Sequence, residues 1–171
     1  MLDLGGNIGL FALDTFTEFP EASVTSVEPD PRNLRILHMA RAANASKDWA
    51  IVGAAASTSA GSLMLEIGDY ADTKVSDTGS TEVTSIDVLP MMRDVDLIKI
   101  DIEGSEWPIL ADPRMADVQA PIAMEWHDAG APTQPAHAAA VSALRAVGFM
   151  TQGEEFGYDH GFIWAWRPSS A

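Results

Sequence analysis

Two runs of residues in this 171-residue chain have the types and spacing that chemistry requires. The first is Asp3-Leu4-Gly5-Gly6-Asn7-Ile8-Gly9, set between a strand-like stub and a helix-like segment. Glycines at such a junction let the backbone turn sharply and approach a ligand closely. The helix that follows would present free N–H groups to a carboxylate or phosphate. Nineteen residues after Gly9 stands Glu28, closing a β-branched stretch. A carboxylate there can accept hydrogen bonds from both ribose hydroxyls of a nucleoside. Together these features point to a nucleoside-cofactor site.

The same letters exclude two common alternatives. A nicotinamide fingerprint starting at Gly5 needs glycines where Asn7 and Leu10 stand, and starting at Gly6 it meets Ile8. A Walker phosphate loop needs Gly-Lys-Ser/Thr, which is absent from the sequence.

The second run is Lys99-Ile100-Asp101-Ile102-Glu103-Gly104-Ser105-Glu106. It ends the most strand-like stretch of the chain, residues 96–102, which is expected to be central and buried on both faces. Ligands of doubly wound sheets sit at that edge, near the topological switch point. Clustered carboxylates need a cation, a donor or water nearby. Asp101 is the leading candidate for acid–base work or positioning, against a plain helix-cap role. Glu106 suits the first turn of a helix equally well. Lys99 reads as a structural partner for a carboxylate.

A third group, Glu125-Trp126-His127-Asp128, ends the next strand, and His127 there could accept a proton or bind a metal. His38 and His137 are expected at the surface of helices. His160 falls in a terminal hairpin turn whose facing the sequence leaves open.

The elements that must position these residues alternate strand and helix, as in a parallel sheet with crossover helices. Helices are expected at 10–19, 32–43, 106–110 and 136–147, with Asp30 as N-cap and Pro31 at the first position of the second. Strands are expected at 1–4, 22–28, 49–57, 62–67, 96–102 and 121–126, and an antiparallel pair at 149–154 and 161–166. The polar run 68–82 reads as a mobile loop. No repeat or domain boundary breaks the pattern, so one domain over residues 1–171 is expected.

Composition narrows the partners. Ten Lys and Arg against 25 Asp and Glu leave a net charge of −15 and a pI near 4.3. Such a surface repels phosphate backbones and anionic membranes, so nucleic acid and membrane are not expected partners. With no cysteine there is no disulfide, thiolate metal site or Cys nucleophile. No stretch reads as a signal peptide or a membrane span, and the chain reads as soluble and cytoplasmic.

Three motifs give the chain its resemblance to a known family: Asp3–Gly9 (DLGGNIG), Val27-Glu28-Pro29, and residues 97–106 (LIKIDIEGSE). In order and type they resemble the FkbM-type S-adenosylmethionine-dependent methyltransferases. The resemblance implies the class I fold, a Rossmann-like α/β domain with a mostly parallel sheet, a C-terminal antiparallel hairpin and helices on both faces. It implies that Gly5, Gly6, Asn7 and Gly9 cradle the methionyl part of the cofactor and Glu28 its ribose. Asp3 and Pro29 belong to the same binding motifs, and residues 54–56, with Ala55 at their centre, would flank adenine. Methyl transfer to a hydroxyl of a small-molecule, sugar or peptide acceptor follows, with Asp101 as positioning group or base and Glu103, Glu125 and His127 as further candidates. A divalent cation bridged by Asp101 and Glu125 would suit hard oxygen ligands. Members of the family carry sequence ahead of the first motif, whereas this chain begins two residues before Asp3. The rival reading is therefore a shortened, inactive cofactor-binding homologue acting as a binding module or partner subunit. A nucleotide-linked oxidoreductase is the second rival, disfavoured by the glycine spacing.

Overall fold

A computed structural model describes residues 1–68, 73–76, 78–155 and 159–168, with the side chains of Glu154 and Glu155 outside the description. Its main sheet has seven strands. In chain order these are β1 (Leu2–Leu4), β2 (Ser23–Glu28), β3 (Asp48–Gly53), β8 (Ile98–Ile100), β9 (Ile122–His127), β10 (Met150–Glu155) and β11 (His160–Trp166). Their spatial order is β10-β11-β9-β8-β1-β2-β3. The contacts from β3 through to β9 are parallel, and β11 runs antiparallel to both β9 and β10. The order reverses between β1 and β8, so the two motif-bearing loops leave neighbouring strands at one edge.

Four helices flank this sheet: α1 (Leu10–Glu18), α2 (Pro31–Ala43), α3 (Glu106–Ala111) and α4 (Ala136–Ala146). Helix α2 starts as its letters predict. Asp30 accepts from the Arg32 backbone N–H at 2.7 Å, and Pro31 occupies the first turn. Ala12 and Phe16 of α1 and Leu37 of α2 bury against Val24 and Trp49, forming one core. The larger core lies on the opposite face, where Leu2, Leu4, Ile98 and Ile100 meet α3 and α4. Val24 and Val27, three apart on β2, fall into different cores, as the two-residue period of a strand demands.

The structure corrects several expectations. The strand foreseen over 49–57 stops at Gly53, and Ala55–Ser57 form β4 of a second sheet. That sheet has the order β4-β7-β5-β6, with β5 at Gly61–Glu66, β6 at Lys74–Val75 and β7 at Thr81–Asp87. The run foreseen as a loop, 68–82, therefore holds β6 and the start of β7, while 69–72 and 77 lie outside the described residues. Strand β8 is central but buries one face only, since Ile98 and Ile100 are fully buried while Lys99 is half-buried on the other side. His137 is half-buried, its ring 5.8 Å from that of Trp126, rather than a surface residue. Residues 156–158 of the foreseen hairpin turn lie outside the described residues, and His160 opens β11.

Candidate cofactor and acceptor site

The turn after β1 is built from backbone hydrogen bonds and one carboxylate. Gly5 and Gly6 N–H both donate to the Val27 carbonyl at 3.0 Å. The Asn7 N–H donates to Glu28 Oε2 at 2.8 Å, and the Asp30 N–H to Glu28 Oε1 at 2.9 Å. Glu28 is 5% exposed, and burial pushes its carboxyl up against the pull of those donors. Gly5 adopts φ +85°, and a Cβ there would lie 1.8 Å from the Asp101 carbonyl oxygen. Only glycine lets the β1 turn and the end of β8 touch in this way.

Between these loops runs a narrow cleft. About 600 Å³ of unfilled space lies between its walls, counting the open mouth. Gly5, Asn7, Glu28, Pro29 and Asn33 line one side, and Val27, Ala55 and Ala56 line the apolar end. Leu65 and Val75 of the small sheet, Thr73 just before β6, and Asp101, Ile102, Glu103 and Ser105 complete the lining.

Past Glu103 lies a knot of acidic groups around one imidazole. Glu106, fully buried at the start of α3, places Oε1 2.7 Å from His127 Nδ1. The other ring nitrogen, Nε2, lies 3.4 Å from Glu103 and 3.9 Å from Glu125. Burial pulls His127 down, but the hydrogen bond to Glu106 and the charges of Glu106, Glu103 and Asp101 outweigh it and raise His127 to about 9. Burial lifts Glu103 to about 7, with Asp101, Glu125 and Glu106 adding to the rise and His127 opposing it. Burial also raises Glu125, aided by Asp101. Glu103 holds φ +52°, a left-handed conformation uncommon outside glycine, and Gly104 follows at φ +89°. Asp101 is tied to Lys99, whose Nζ lies 3.2 Å from its carboxylate, 2.6 Å from the Gly5 carbonyl and 3.5 Å from Asp3.

A model of the methyltransferase FkbM domain matches residues 3–159. The chain belongs to the FkbM methyltransferase family. Among solved structures it is similar to methyltransferase FkbM from Methylobacillus flagellatus KT, with TM-score 0.67, 16% identity and 97% of this chain covered. The match covers 43% of that protein, so this chain spans less than half its length. It is also similar to precorrin-6y C5,15-methyltransferase from Geobacter metallireducens GS-15, with TM-score 0.61, 16% identity, and 98% and 78% of the two chains covered. A third is Aeropyrum pernix fibrillarin with natively bound S-adenosyl-L-methionine, with TM-score 0.54, 14% identity, and 96% and 64% covered. At these identities the likeness shows the fold alone, and that fold is the class I arrangement expected from the sequence. No curated protein matches the chain.

Set against the FkbM motifs, the structure sorts the expected site residues into two groups. Gly5, Asn7, Glu28, Pro29, Ala55, Asp101 and Glu103 line the cleft. Glu125 and His127 stand just beyond its end, and His160 pairs in register with His127. Asp3, Gly6 and Gly9 lie outside the lining. Asp3 is fully buried, accepting from Ser26 Oγ at 2.8 Å, and Ser26 Oγ in turn accepts from Trp49 Nε1 at 3.0 Å. A Cβ on Gly6 would come within 2.9 Å of Ser26 Cβ. A Cβ on Gly9, at φ +95°, would stand 2.7 Å from Trp49 and 2.8 Å from Leu37. Gly9 thus brings α1 close to the sheet.

Gly9→Val is accordingly expected to cost roughly 3 kcal/mol of stability through strain and overpacking. Thermal melts measure that loss, and calorimetry below the transition should find cofactor affinity changed by no more than a few fold. Leu65, Thr73, Val75 and Asn33 were missed in the sequence, the first three because the small sheet was not foreseen. Glu106 was legible as a helix-start acid but not as the partner of His127, since 21 residues separate them.

The same cluster predicts how stability varies with pH. Both Glu103 and His127 sit above their ordinary values, so the folded chain holds protons that the unfolded chain releases. Their contribution is therefore largest at low pH and is lost as pH rises, through the window from 4.5 to about 7 for Glu103 and from 6.5 to about 9 for His127. Melting temperature should fall between pH 6.5 and 9, and His127→Gln should flatten that part of the curve. A wild-type curve already flat there would contradict the assignment.

Proposed function

We propose that this chain carries the S-adenosylmethionine-dependent methyl transfer of its family, with a hydroxyl oxygen of a small molecule or glycan as acceptor. The observation that carries the reading is the cleft at the β1–β8 switch point, with buried Glu28 at one end and Asp101 at the other. Its residues fit the cofactor in kind: a carboxylate aimed at a diol, apolar Val27, Ala55 and Ala56 for an adenine, and anionic groups where a sulfonium would lie.

When bound, S-adenosylmethionine supplies a methyl group activated on sulfur. Asp101, paired with Lys99 at 3.2 Å, would hold the acceptor O–H and take its proton as the methyl group passes from sulfur to oxygen. Glu103, whose carboxyl lies close to that of Asp101 and is raised to about 7, is placed to take that proton onward. The acidic surface, net −15, disfavours nucleic acid as the acceptor. Asp101, Glu103 and His127 also bring ligand atoms within 4.8 Å of one another, and a divalent cation held there is the second reading. Glu125, expected to bridge such a cation with Asp101, is not in that set. Turnover surviving prolonged chelation would dismiss the cation.

Glu28→Ala tests the cofactor end. Losing a charge-assisted acceptor should weaken binding of S-adenosylhomocysteine by roughly 1–3 kcal/mol, and calorimetry on the folded variant reads it. Unchanged affinity would leave Glu28 as a brace for the Asn7 and Asp30 N–H groups alone. For the function as a whole, S-adenosylhomocysteine should bind while NAD neither binds nor competes. NAD binding at the cleft would instead favour an oxidoreductase, and homocysteine-product binding without turnover on any hydroxylated acceptor would favour the binding-module reading.

A further inference from the structure

The cofactor cleft does not end at the glycine turn. A second groove, with about 1060 Å³ of unfilled space counting its open mouth, lies on the outer side of that turn. The two share Gly5, Asn7, Asn33 and Asp101 as a common wall. Beyond this wall the groove is apolar, lined by Ile8, Leu10, Phe11 and Ile36. Leu10 is 68% exposed and Ile36 44%. Large apolar side chains left together in water mark a binding surface more often than chance placement does.

We infer that this groove binds the acceptor, and that the acceptor is an uncharged apolar ring or chain carrying a hydroxyl, rather than a sugar or an anion. The inference rests on the methyltransferase reading above and adds the substrate class to it. Three observations converge. The polar lining groups, Asn7, Asn33, Lys99 and Asp101, gather at or beside the shared wall, where a hydroxyl would meet Asp101. Outward of them a sugar would find no polar partners among the described lining residues, while an apolar body would shed its hydration against Ile8, Leu10 and Ile36. The single cation of the lining, Lys99, is held by the Gly5 carbonyl, Asp101 and Asp3, so an anionic acceptor would face carboxylates. Past Glu103 and Glu125, by contrast, the surface presents carboxylates gathered around one imidazole.

Nuclear magnetic resonance on the protein saturated with S-adenosylhomocysteine tests this with two probes, cyclohexanol and methyl β-D-glucoside. Methyl signals of Ile8, Leu10 and Ile36 should shift with cyclohexanol and stay still with the glucoside. Leu10→Glu and Ile36→Glu, both at exposed positions, should weaken cyclohexanol binding at least tenfold and leave S-adenosylhomocysteine affinity unchanged. The inference is overturned if the glucoside shifts the groove as strongly, or if either variant takes cyclohexanol like the wild type. It is equally overturned if the wild type sediments as a dimer that Leu10→Glu splits, because the groove then belongs to a second copy. Failure to take up S-adenosylhomocysteine would count against the function itself, and the alcohol response of the protein alone would still decide the groove.

Discussion

Asp101→Asn is expected to lower turnover by roughly 100-fold or more, the size of a lost general base, while leaving cofactor affinity within about twofold. The variant keeps the shape and one acceptor oxygen. It removes the charge that Lys99 holds at 3.2 Å and the site to which the acceptor proton moves. Cofactor affinity should hold because Glu28 and the glycine turn stay intact at the other end of the cleft. Steady-state kinetics on an acceptor found by screening separate the two effects, with the loss in kcat rather than in the KM for the cofactor. Wild-type turnover in the variant would reduce Asp101 to a structural partner of Lys99, and the proton would have to leave through Glu103.

Gly5→Ala should have the largest effect on the cofactor end. Its Cβ would be driven to within 1.8 Å of the Asp101 carbonyl oxygen, at a φ of +85° that alanine resists. Backbone has to yield, because the obstacle is a peptide oxygen and not a flexible side-chain tip. A loss of roughly 3 kcal/mol or more is expected from strain and overpacking, read as a fall in Tm of roughly 6–12 °C. S-adenosylhomocysteine binding should fall below detection even well under the new Tm. Gly148→Ala is the control, since it too has a positive φ of +94° but meets only the Arg167 guanidinium, far along the chain from the cleft residues. It should lose stability without losing the ligand. Normal binding by Gly5→Ala would show that the turn can relax and that its glycine is not needed for the site.

What could be read from the letters was whatever depends on local spacing. The turn Gly5–Gly9, the acid at Glu28 and the cap at Asp30 each state their geometry within a few residues, and the structure forms the turn and the cap as read. At Gly6 and Gly9 the motif records only that a side chain is absent, not what fills the space. Ser26, Trp49 and Leu37, which fill the space, come from other strands and helices. The small sheet was illegible for a different reason. Thr81–Asp87 carries β-branched residues, but its burial is slight along most of its length, so the apolar alternation that marks a strand is weak. Strand β4 pairs with β7 in parallel, Ala55 with Ser85, a contact across thirty positions that no local pattern announces. The knot around His127 shows the same limit. Each acid has an ordinary surface explanation alone, and only the fold brings Glu103, Glu106 and Glu125 to one imidazole.

The central claim is that one cleft, running from Glu28 to Asp101, holds the methyl donor. A crystal structure of this chain grown with S-adenosylhomocysteine, with and without magnesium, tests it most directly. The account predicts ribose hydroxyls on Glu28, adenine against Val27, Ala55 and Leu65, and the sulfur end beside Asp101. Ligand density elsewhere on the molecule, with the Glu28–Asp101 cleft empty, would contradict it.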